Sequence, residues 1–152
     1  NSPVSREKVA KLHYPEVTIR SFLSTQKKTL WGLKDPRTLI TFEIWKPYLE
    51  EISSITYIFI HRPLNASASS LARRNGIDLI TAREILSPYL TNLNYYRSLL
   101  YKDKKDVIDV SYDDLLIIPE VFVSKINQRI GQIREHNIDK VKSFLDERLR
   151  HF

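Results

Sequence analysis

Three short stretches bring together residue types that can handle an anion. In Trp31-Gly32-Leu33-Lys34-Asp35-Pro36-Arg37 two cations and an acid converge where an extended run gives way to a helix start. Ligands of open α/β sheets bind at such carboxyl ends of strands, but the same residues also describe a capped helix with solvated Lys34 and Arg37. The second stretch leaves an apolar run at Arg62 and reaches Ser70 eight residues later, with Arg73 and Arg74 beyond. A guanidinium and a hydroxyl suit a phosphate; a strand-end arginine and a helix serine are the ordinary alternative, and Arg73 and Arg74 read as a solvated face. The third, Ser111-Tyr112-Asp113-Asp114-Leu115-Leu116 with Pro119 following, reads by itself as a strand ending in a helix cap.

Other chemistries are poorly supplied. There is no cysteine, which removes disulfides, thiolate metal sites and cysteine nucleophiles. His13, His61, His136 and His151 show no metal-ligand spacing, so no metal is expected. The formal charge of +6 favours phosphorylated ligands. The cations are mixed with acids, as in Lys102 to Asp106, and a dedicated nucleic-acid surface is not expected. No apolar run approaches the roughly 20 residues of a membrane span and no charged-then-apolar leader opens the chain, so a soluble, cytoplasmic protein is expected. The Asn65-Ala66-Ser67 sequon is better explained as a helix cap.

The elements that must position these residues follow from periodicity. One domain over 1–152 is expected, with a helical segment over 1–29 broken at Pro15 and a core over 30–152. Asp35-Pro36 predicts a helix N-terminus, and Leu39, Phe42, Trp45 and Leu49 continue that helix to about Glu50 or Glu51. Ile55 to Ile60 is apolar almost throughout, which predicts a central parallel strand buried on both faces. Asn65 is expected to cap a helix ending at Gly76. Thr81-Ala82-Arg83-Glu84 has capping-box spacing and predicts a helix to Lys102, kinked at Pro88. Val107 to Val110 predicts a second strand. Helices are then expected from Tyr112, from Pro119, and over Ile138, Val141, Leu145 and Leu149. Alternating strands and helices argue for an α/β fold with a parallel sheet flanked by helices.

In this order, these stretches resemble the bacterial-type sulfotransferase family over roughly Leu30 to Arg150. Trp31 to Arg37 looks like the family's tryptophan-glycine-x-lysine-aspartate-proline-arginine segment. Tyr57 to Arg62 with Ser70-Leu71-Ala72-Arg73-Arg74-Asn75-Gly76 looks like its 3′-phosphate-binding element. Tyr112 to Leu116 with Pro119 resembles a later tyrosine-acid-aspartate-leucine-leucine segment, and Phe144-Leu145-Asp146 with Leu149-Arg150 resembles the family's C-terminal end.

The resemblance implies the P-loop nucleoside-triphosphate-hydrolase-like sulfotransferase fold. It also implies transfer of a sulfuryl group from 3′-phosphoadenosine 5′-phosphosulfate to an unidentified hydroxyl or amine acceptor, leaving adenosine 3′,5′-bisphosphate. Arg62 and Ser70 would hold the 3′-phosphate, Lys34 would be the catalytic electrophile beside the sulfuryl group, and Asp35 and Arg37 would support it. His13 and Glu16 are candidates for the base. Two departures stand out. Pro63 follows Arg62 directly, where the family places one residue between them. Nothing in residues 1–30 resembles the family's proline-x-serine-glycine-threonine loop, and no methionine is present, so the chain is expected to lack an upstream segment. A catalytically silent domain that binds a nucleotide or a protein is the alternative; a nucleotide kinase would need a Gly-rich loop ending in lysine that is not visible.

Overall fold

A computed structural model of the chain describes residues 7, 8, 11 and 15–145. His13, Asp146, Leu149, Arg150 and His151 lie outside the described residues. Pro15 immediately precedes α1 (Glu16–Gln26), where its fixed φ suits a helix entry. Ile19 and Leu23 of α1 are buried, and Phe22 meets the edge of Trp45 at 5.8 Å between ring centres. Trp45 belongs to α2 (Thr38–Ile52), which continues through Pro47.

Residues 31–35 form no regular helix or strand, and the Trp31 indole donates to Ser53 Oγ at 3.1 Å. The helix expected at Asp35-Pro36 starts later. Asp35 accepts from the Arg37 amide at 2.8 Å and closes a turn, and regular helix begins at Thr38.

Two strands, β1 (Thr56–His61) and β2 (Asp106–Ser111), form a parallel sheet with Ile58 opposite Ile108 and His61 opposite Ser111. Between them run α3 (Leu64–Asn75) and α4 (Leu79–Lys102). After β2 come α5 (Tyr112–Ile117), α6 (Pro119–Arg129) and α7 (Ile138–Phe144). The chain is thus mixed α/β, mostly helical around a small parallel sheet, as alternation implied; among the described residues the sheet has no third strand.

One face of the sheet carries the core. Tyr57 and Phe59 pack with Phe42 of α2 and with Tyr96 and Leu100 of α4, the Phe42 and Tyr96 rings lying 4.5 Å apart. The expectation that β1 is a central strand buried on both faces is overturned, because Ile58 and Ile60, on the opposite face, are 45% and 50% exposed. Their register partners Ile108 and Val110 are buried. With two strands there is too little sheet for the covering helices to shield both strands on that side.

Caps explain the helix ends. Gly76, at φ +64°, terminates α3 as expected, and the Gly76 and Ile77 amides reach the Ala72 carbonyl in a left-handed closure that glycine adopts without a Cβ clash. Asn65 does not cap this helix; α3 begins at Leu64 after extended Pro63, leaving Asn65 within its first turn. Thr81 is likewise no N-cap. Asp78 caps α4, accepting from the Thr81 amide at 2.9 Å and the Thr81 hydroxyl at 2.6 Å, so the helix starts two residues before the expected capping box. Pro119 opens α6, as its missing N–H allows. Buried Asn127 ties down the following loop by donating to the Arg134 and His136 carbonyls. The final helix stops at Phe144, with Leu145 as its cap.

Candidate functional site

Parallel strands deliver their carboxyl ends to the same edge of a sheet, and here that edge carries Arg62 just after β1 and Tyr112 just after β2. The Arg62 guanidinium lies over the Tyr112 ring at 4.8 Å from its centre. Such stacking holds a flexible cation in one orientation. Ser70 is half-buried at the seventh position of α3, two turns from the helix N-terminus, so its hydroxyl stands apart from the free amides of the first turn.

The Lys34 segment has a different character. Asp35 and Arg37 form a forked pair, with the guanidinium Nε and Nη2 on the two carboxylate oxygens at 2.6–3.1 Å. Arg37 holds the Asp35 carboxyl at about 2, and the carboxylate in turn raises the guanidinium. Lys34 is exposed and makes no hydrogen bond or ion pair with another described residue. The structure therefore couples Asp35 to Arg37 and leaves the Lys34 ammonium uncommitted. The first turn of α2, which follows this segment, is tied to α4, whose Asn92 donates to the Leu39 carbonyl at 2.8 Å.

Four residues not singled out by spacing meet at the same end of the sheet. Asp109 of β2 accepts from Arg97 Nε at 2.8 Å on both oxygens, from the Tyr101 hydroxyl at 2.6 Å and from His61 Nε2 at 2.9 Å. An ionised carboxylate only accepts, so the proton of the contact with His61 resides on Nε2. Arg97 is the largest influence holding the Asp109 carboxyl far below the usual range against the effect of burial, with Tyr101 and His61 adding to it. Asp109 in turn raises Arg97 and Tyr101. The signal was there: an acid inside the apolar run Val107 to Val110 needs a buried partner, and Arg97 and Tyr101 lie four residues apart, on one helical face.

Asp109 also borders a shallow cleft of about 120 Å³ between β2 and the helices that follow, lined by Val110, Ser111, Leu115, Phe122 and Lys125 among others. Among the described residues no group of three or more histidines or acids could hold a metal ion, and no helix is long and apolar enough to cross a membrane. His61 and His136, described here, are respectively paired with Asp109 and exposed. Comparisons with models of known protein families, with curated proteins and with solved structures find no match.

Proposed function

We propose that this chain carries the nucleotide-handling part of a sulfotransferase of the P-loop-like fold, acting on 3′-phosphoadenosine 5′-phosphosulfate and a hydroxyl or amine acceptor. The observation that carries the reading is the Arg62 guanidinium stacked over Tyr112 at the carboxyl ends of two parallel strands, the edge where α/β sheets take their ligands. The exposed Lys34 and the resemblance of Trp31 to Arg37 to the family's segment add to it.

In this reading Arg62 binds the 3′-phosphate through paired N–H donors, with Ser70 contributing a hydroxyl. Lys34 stands beside the bridging oxygen of the phosphosulfate and stabilises the charge that develops there as the acceptor oxygen or nitrogen attacks sulfur in line. Asp35, neutralised by Arg37, fixes the turn from which Lys34 projects. The acceptor's proton passes to a base among residues the sequence offers, Glu16 being one; it lies in α1, paired with Arg20 at 2.8 Å. No metal is required for this chemistry.

Calorimetric titration of adenosine 3′,5′-bisphosphate into the chain and into Arg62→Ala tests the reading. Saturable binding that falls at least about tenfold on substitution supports it, whereas absence of binding to the unsubstituted chain overturns it. Tight binding without any sulfated product in an acceptor screen would identify a silent nucleotide-binding domain instead.

A further inference from the structure

Between Glu16 and Glu43 the sequence carries five cations, Arg20, Lys27, Lys28, Lys34 and Arg37, against one acid, Asp35. Asp35 is taken by Arg37, and Arg20 by Glu16 and Glu51. The excess charge therefore falls on the segment joining α1 to α2, where Lys27 and Lys28 are exposed and make no ion pair with another described residue. The same segment turns two large apolar side chains to water, Leu30 being 59% and Leu33 41% exposed. Trp31 between them is half-buried, its indole fixed on Ser53 at 3.1 Å. The segment is thus anchored at one residue and presents a leucine on either side of it, next to paired lysines.

We propose that the segment from Lys27 to Leu33 docks this chain on an anionic bilayer surface, with Leu30 and Leu33 at the boundary of headgroups and acyl chains and Lys27 and Lys28 among the anionic headgroups. Charge complementarity selects this occupant. A lysine close to a negatively charged leaflet strengthens attachment by about fivefold, and a leucine leaving water adds to this without adding charge. A nucleic acid would satisfy the cations through its phosphates but give the two leucines nothing to cover them. A bilayer answers both. The contact goes beyond the proposed function and does not depend on it; Lys34, which follows the segment, keeps the role given to it there.

Sedimentation with protein-free vesicles tests this, using pure phosphatidylcholine and an equimolar mixture of phosphatidylcholine and phosphatidylserine. The unsubstituted chain should bind the mixed vesicles, bind pure phosphatidylcholine at least about tenfold more weakly, and lose affinity as ionic strength rises toward about 1 M, where screening acts beyond about 3 Å. Lys27→Ala with Lys28→Ala should weaken binding by about tenfold or more. Leu30→Ser with Leu33→Ser should weaken it by about tenfold at unchanged charge. Arg73→Ala with Arg74→Ala, which removes equal charge from the exposed end of α3, should stay within about twofold. Circular dichroism of these exposed-site variants should match the unsubstituted chain. Failure of the unsubstituted chain to bind the mixed vesicles overturns the proposal. So does undiminished binding by either the lysine pair or the leucine pair, or a loss in the arginine pair as large as in the lysine pair, which would make the attraction one of net charge alone. The bisphosphate titration is read without vesicles, so neither result decides the other.

Discussion

The Arg62 guanidinium sits 4.8 Å from the centre of the Tyr112 ring, joining the residue that leaves β1 to the residue that leaves β2. Neither side chain could be placed there by the other's sequence neighbourhood; the parallel register of the two strands makes the contact. Tyr112→Leu removes the stacking partner while leaving the cation, and an exposed cation–π contact is worth about 0.5–1 kcal/mol. Bisphosphate affinity should fall by about two- to fivefold in Tyr112→Leu, clearly less than in Arg62→Ala, and stay near the original value in Tyr112→Phe. Titration calorimetry on the three variants checks the order.

Glu50 should stay ionised well into the acid range. Burial pushes its carboxyl up, but hydrogen bonds from Lys105, Lys46 and Tyr57 outweigh this and hold it at about 2. A folded pKa below the unfolded one contributes stability that is present above the unfolded value, about 4.3, and is lost as pH falls toward 2. Urea midpoints measured from pH 6 to pH 2.5 should therefore drop through this window. Glu50→Gln should be less stable at pH 6 and show a shallower fall. Asp109, held lower still by Arg97, extends the same trend to more acid conditions.

The start of α4 separates two caps that spacing alone confuses. Asp78 accepts from both the amide and the hydroxyl of Thr81, whereas Glu84 has no hydrogen bond among the described residues. Asp78→Ala should lower the thermal midpoint and Glu84→Ala should leave it unchanged, read by circular dichroism.

Along β1 the cost of substitution should alternate. Phe59 is 7% exposed within the aromatic core, and Phe59→Ala should cost about 3–5 kcal/mol. Ile58→Thr and Ile60→Thr, on the half-exposed face, should each cost less than about 1 kcal/mol and should reduce self-association at high concentration. Denaturant titration and light scattering distinguish these outcomes.

Helix positions were legible because they rest on local rules. Pro119, Gly76 and the spacing of Phe42 and Leu49 each specify backbone geometry within a few residues. The start of α4 was misplaced because Thr81 and Glu84 imitate a capping box, while Asp78 makes the stronger contact from just outside it. Burial of β1 was misjudged because an apolar run reports what the strand tolerates, and the face left open depends on how many strands lie beside it. At the candidate site, Arg62 and Lys34 could be picked out by type and neighbours. The need of Asp109 for a partner was visible in its apolar run, but its link to His61 was not, since residues separated by 48 positions meet only once the register is set.

That register is itself chosen by polar side chains. Ile58, Ile60, Ile108 and Val110 are nearly interchangeable, so a two-residue slide of one strand past the other would keep apolar groups facing apolar groups. Thr56 donating to Asp106 at 2.6 Å at one end is lost on sliding in either direction, and His61 donating to Asp109 at the other is lost in one of them. These contacts act as two dowels through otherwise smooth planks. A chain lacking both would still have reason to form a sheet, but less to prefer the alignment that sets Arg62 over Tyr112.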